Sequence, residues 1–127
     1  MRSQIVSKLT TRLNALPGFS PVALWDNVPS QYSTNAIYLK DTREKYELKN
    51  SVYQATLRIE IVAIVIETKD ESASELGNLV LAQLIGAVRS LKVKGVIVNL
   101  ADSFKYIDTK GKTACEVELN IDVKYQF

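Results

Sequence analysis

The segment Val52–Ile66, VYQATLRIEIVAIVI, constrains the fold more than any other part of the chain. Its odd positions, Tyr53, Ala55, Leu57, Ile59, Ile61, Ala63 and Val65, are apolar. Its even positions begin polar, at Gln54, Thr56, Arg58 and Glu60, and turn apolar at Val62, Ile64 and Ile66. A period of two is the spacing of a strand with one face buried. The loss of alternation after Glu60 predicts that the second half is covered on both faces. The C-terminal segment Thr113–Phe127 alternates almost without interruption. Cys115, Val117, Leu119, Ile121, Val123, Tyr125 and Phe127 face one way, and Glu116, Glu118, Asn120, Asp122, Lys124 and Gln126 face the other.

Two helices accompany these strands. Ile5, Leu9, Leu13 and Leu16 fall at spacings of four and three, which predicts a helix over Ser3–Leu16, capped by Ser3 and stopped by Pro17-Gly18. Ser72 followed by Glu75 has capping-box spacing and opens a second helix reaching Leu91. Its stripe is Leu76, Leu79, Val80, Leu84, Ala87, Val88 and Leu91, widened by Leu81 and Ile85, with Gly95 as a left-handed cap. Short strands are expected at Pro21–Trp25, Ala36–Leu39, Val96–Leu100 and Ser103–Ile107. A loop is expected around Pro29 (Asp26–Thr34) and a turn at Gly111. The charged run Lys40–Asn50, KDTREKYELKN, reads either as a solvated loop or as a β-hairpin arm. The order α-β-β-β-α-β-β-β describes one α+β domain spanning residues 1–127. Its sheet is mostly antiparallel, with two long strands and two helices packed on one face.

Length sets a further condition. A strand of fifteen residues spans roughly 50 Å when extended. A globule of this chain length has a radius of gyration of about 14 Å, hence a diameter of roughly 36 Å. The long strands therefore bend, bulge or project, and a projecting arm exposes backbone edges that a partner subunit would cover.

Composition narrows the chemistry. Sixteen basic residues against fourteen acidic give a net charge of +2, which supplies no general attraction to nucleic acid or membrane. There is no histidine, which removes Ser–His and Cys–His nucleophile pairs and His-ligated zinc. The single cysteine, Cys115, sits on the apolar side of its strand and is expected to be a buried, inert thiol. The glycines at 18, 77, 86, 95 and 111 are too scattered for a phosphate-binding loop. Neither a signal peptide nor a membrane-length apolar run is legible, so the expectation is a soluble intracellular protein.

Glu116, Glu118 and Asp122 share one strand face, with Glu60 on a neighbouring strand. Paired carboxylates serve acid–base catalysis when desolvated in a cleft. Here Arg58 and Lys124 offer counter-charges, and the pattern reads as a solvated face with neither a catalytic nor a metal role. Lys40, Arg43, Lys45 and Lys49 are interleaved with Asp41, Glu44 and Glu47, which suits protein contact better than phosphate contact. Tyr46 within that run is the amphipathic type that interfaces favour. Arg43, Lys45, Tyr46, Arg58, Glu60, Glu116, Glu118 and Lys124 are therefore the candidate interface residues, and no cofactor is expected.

The opening helix SQIVSKLTTRLNAL, the long strand VYQATLRIEIVAIVI, the central helix ESASELGNLVLAQLIGAVRSL and the closing strand CEVELNIDVKY together form a layout. That layout resembles the tail terminator (tail completion) proteins of long-tailed bacteriophages and prophages. The resemblance lies in the order of elements across most of the chain. It implies a structural protein without enzyme activity, forming a ring that is typically a hexamer. The ring caps the finished tail tube and joins it to the head. The implied partners are further copies of the chain, the tail tube protein and a head–tail connector protein, with no membrane and no sequence-specific nucleic acid. The implied location is the head-proximal end of the virion tail, reached from the host bacterial cytoplasm. Another phage neck or tail connector protein, or a small α+β nucleic-acid-binding module, is the alternative.

Overall fold

The computed structural model describes residues 2–24, 34–91, 97–109 and 112–126, with backbone alone at 24, 41–43, 97–109 and 112. The elements are α1 (Arg2–Asn14), β1 (Ala23–Leu24), β2 (Ala36–Lys49), β3 (Val52–Ile66), α2 (Ala73–Arg89), β4 (Ile97–Thr109) and β5 (Lys112–Gln126). They build an α+β fold around one five-stranded sheet of order β1-β2-β3-β5-β4. The four long strands pair antiparallel, and the two residues of β1 pair parallel with Tyr38 and Leu39. The sheet has four long strands where the sequence predicts two. Lys40–Asn50 resolves in favour of the arm, because β2 runs unbroken from Ala36 to Lys49. The two short strands expected over Val96–Leu100 and Ser103–Ile107 are one strand, β4.

Both helices lie on the same sheet face. Ile5, Leu9 and Leu13 of α1 and Val80, Leu84, Ala87 and Val88 of α2 pack with the odd residues of β3 and β5 in one buried cluster. Ile5, Leu9, Leu13, Leu57, Ile61, Leu84 and Leu119 are fully buried. Removing each such side chain from water contributes about 1.5–3 kcal/mol. Cys115 is fully buried as well. The second half of β3 is buried on both faces, as its loss of alternation predicts. Val62 and Ile64 form a smaller cluster with Ala36, Tyr38 and Ala114 on the opposite face.

Helix ends depart from the sequence reading in detail. Ser72 does cap α2, its hydroxyl accepting the Glu75 N–H at 3.2 Å. The helix closes at Arg89 with Ser90 as its cap, so the expected stop at Gly95 falls outside the described residues. Leu79 is exposed (53%), not part of the buried stripe. Ser3 lies inside α1, which already starts at Arg2, so it is not the cap. The Asn14 side chain instead ties the end of α1 to the segment before β1, accepting the Val22 N–H at 2.9 Å. Trp25, the loop around Pro29 and the Gly111 turn also lie outside the described residues.

One irregularity decides which side chains face where. The β2–β3 register shifts by one residue between Asp41 and Arg43. Before the shift Leu39 lies opposite Ile61, and after it Glu44, Tyr46 and Leu48 lie opposite Leu57, Ala55 and Tyr53. Residues directly opposite share a sheet face. The bulge therefore moves even-numbered β2 residues onto the helix face and leaves Lys45, Glu47 and Lys49 on the open face. Beyond it, Asn50 and Ser51 both take positive φ (49° and 65°), the backbone of a type I′ turn.

Candidate functional site

The open face of the sheet is the surface on which most sequence-predicted residues converge. Lys45 and Glu47 from β2, Thr56, Arg58 and Glu60 from β3, and Asp122 and Lys124 from β5 line a shallow trough of about 510 Å³. The bulge and the β3–β5 register, in which Arg58 faces Asp122 and Thr56 faces Lys124, put these three strands in line. Arg58 grips Asp122 through two hydrogen bonds, Nε to Oδ1 at 2.7 Å and a guanidinium N–H to Oδ2 at 2.9 Å. The carboxylate holds the guanidinium even further into its charged form. Glu47 sits between Lys45 at 3.4 Å and Lys49 at 3.6 Å. Its hydrogen bond with Lys45 leads in lowering its carboxyl below the usual range, and Lys49 adds to it. The trough therefore carries three cations and three anions, largely matched against one another.

The remaining predicted residues lie elsewhere. Glu116 and Glu118 share the open face but sit farther along, opposite Ile64 and Val62, beside the smaller apolar cluster. Arg43 is placed by its backbone, paired with Arg58. Tyr46 is on the other face of the sheet, a consequence of the bulge.

On that second face of the arm the predicted Tyr46 is joined by two residues absent from the candidate set, Leu48 and Tyr53. Tyr46 (56% exposed), Leu48 (61%) and Tyr53 (54%) form an apolar patch at the hairpin tip, with Val52 exposed on the reverse side. Burial stops abruptly there: Ala55, Leu57 and Ile59 are covered, and Tyr53 is not. The arm therefore leaves the body at Tyr53, and the alternating residues from Ala55 to Glu60 stay part of the body. The first turn of α1 reaches the base of the arm. Arg2 contacts Glu44 at 3.3 Å, and Glu44 also accepts the Tyr125 hydroxyl. A hydrogen bond to the same carboxylate leads in pushing the Tyr46 phenol up. Glu44 thus joins α1, β5 and the arm. Its signal in the sequence was its alternation with Lys45 and Glu47, unreadable without the bulge.

Among the described residues no group of His, Cys, Asp and Glu is placed to hold a metal ion, and no helix is long and apolar enough to cross a membrane. Compared with known proteins, the chain matches no protein-family model and no curated protein sequence. The site is defined by its own geometry: a charge-matched sheet face and an apolar hairpin tip.

Proposed function

We propose that this chain is a structural assembly protein, similar to the phage tail terminators, that forms a ring capping the tail tube and joining it to the head. The single observation that carries the reading is the hairpin tip. Four large apolar side chains stand exposed beyond the helix layer. Burying such a tip against another subunit is the ordinary solution to that exposure. The layout of long antiparallel strands under two helices agrees with the resemblance. The open face suits stacking on protein, since its matched charges offer phosphates little net attraction. In this reading the partners are further copies of the chain, the tube protein and a connector on the head side, and the protein has no catalytic role.

The test is to mix the purified protein with preassembled tubes of the cognate tail tube protein and view them by negative-stain electron microscopy. The reading predicts a ring on one end of each tube. Tubes whose ends all stay bare would contradict it.

A further inference from the structure

The two edges of the sheet differ, and each is open over most of its length. At one edge, β1 pairs with Tyr38 and Leu39 alone, so the ten residues Lys40–Lys49 of β2 have no strand beyond them among the described residues. At the other, β4 pairs with β5 on one side, and no described strand lies on its outer side over Ile97–Thr109. A long open edge is a template for strand addition. We infer that the outer edge of β4 receives the β2 arm of a second copy, so that the sheet continues from subunit to subunit. This inference rests on the ring reading above and names the contact that would build the ring.

Three features favour this occupant. The first is direction. With four long strands alternating, β2 and β4 run opposite ways at the two edges. A rotation about an axis along the strands preserves each strand's direction, so β2 of the next copy falls antiparallel beside β4. An odd number of strands would have made that join parallel. The second is charge. Lys40–Lys49 carries four basic residues (Lys40, Arg43, Lys45, Lys49) against three acidic (Asp41, Glu44, Glu47), a net of +1. Ile97–Thr109 carries Asp102 and Asp108 against Lys105, a net of −1. The β2 edge carries four basic residues and a register shift, whereas β4 carries a single lysine, Lys105, and pairs with β5 without a register shift. The third is the apolar row. Tyr46 and Leu48 share the helix face with Glu44, and the β4 positions paired with buried Val123, Ile121, Leu119 and Val117 are Val98, Leu100, Asp102 and Phe104, a row that is apolar except at Asp102. Joining the edges sets one apolar row beside the other. The contact is heterologous, so repetition closes a ring or extends a filament.

The test uses the full-length chain in a Cys115→Ala background. Lys45 and Ser103 lie midway along the two edges, both at open-face register positions. Lys45→Cys and Ser103→Cys are made singly and together, then treated with a short bis-maleimide. A mixture of the two single variants should give cross-linked pairs containing one of each, and the double variant a ladder of covalent multimers. Adding Leu48→Lys should lower the cross-linked fraction at least about tenfold with an unchanged far-ultraviolet circular dichroism spectrum. Ser103→Cys cross-linking chiefly to itself would show β4 meeting β4 across a two-fold axis. That would overturn this inference while leaving self-assembly intact. A strictly monomeric mass with no cross-link in any mixture would overturn the ring reading as well.

Discussion

Ile61 and Arg58 are three residues apart on one strand and carry opposite consequences. Ile61 is fully buried beneath the helices, so Ile61→Asp puts an unpaired charge into the core. Circular dichroism and urea titration should find that variant unfolded or nearly so, and even Ile61→Ala should cost about 2–5 kcal/mol. Arg58 stands half-exposed on the open face and holds Asp122 at 2.7 Å. Arg58→Glu replaces attraction by repulsion in a solvated pair, where screening keeps the effect small. It should leave the fold intact, with a far smaller shift of the urea midpoint than Ile61→Ala, and should impair assembly. If Arg58→Glu unfolded the subunit, the division between core face and docking face would be wrong. Cys115 supplies a pH dependence. Burial pushes its thiol up, so the folded state binds that proton more tightly than the unfolded state. Its contribution is complete below the unfolded thiol value of about 8.5 and is lost as pH rises through the higher folded value. Urea midpoints should fall from pH 7 to pH 10, and Cys115→Ala should lack that part of the decline. In the native protein the thiol should react with thiol reagents only as fast as the chain unfolds.

At the scale of elements, strands and helices were legible wherever local pattern and tertiary contact agreed. The alternation of Val52–Ile66 and Thr113–Phe127 predicted β3 and β5 and their buried faces, including the double covering at Val62 and Ile64. The Ser72–Glu75 pair placed the start of α2, and Ser72→Ala should cost about 1 kcal/mol by thermal or urea unfolding. Patterns failed where a single residue changed the phase. The bulge at Asp41/Arg43 reverses the faces of β2, which hid that Glu44, Tyr46 and Leu48 lie on the helix face. The turn at Asn50-Ser51 lacks the glycine that usually announces a type I′ hairpin, although both residues take its left-handed backbone. Ser51→Gly should therefore stabilise the hairpin by about 0.5–1 kcal/mol, seen as a raised urea midpoint. Leu79 joined the predicted stripe by spacing alone, whereas the buried face of α2 follows Ala73, Gly77, Val80, Leu84, Ala87 and Val88 and leaves it outside.

At the scale of the molecule, strands longer than the globule is wide do project, and only at the tip of the β2–β3 hairpin. At the arm's base, Glu44 joins Arg2 from the first turn of α1 to the Tyr125 hydroxyl of β5, and the tip lies beyond that junction. The exposed features are an apolar tip and a charge-matched face, and among the described residues the sheet ends in two unpaired edges of opposite net charge. The proposed function has neighbouring copies cover these features. Native mass spectrometry of the concentrated full-length protein tests it most directly. The account predicts one dominant closed assembly, of six copies if the resemblance to tail terminators holds, which Leu48→Lys dissociates. A monomer at every accessible concentration would contradict it.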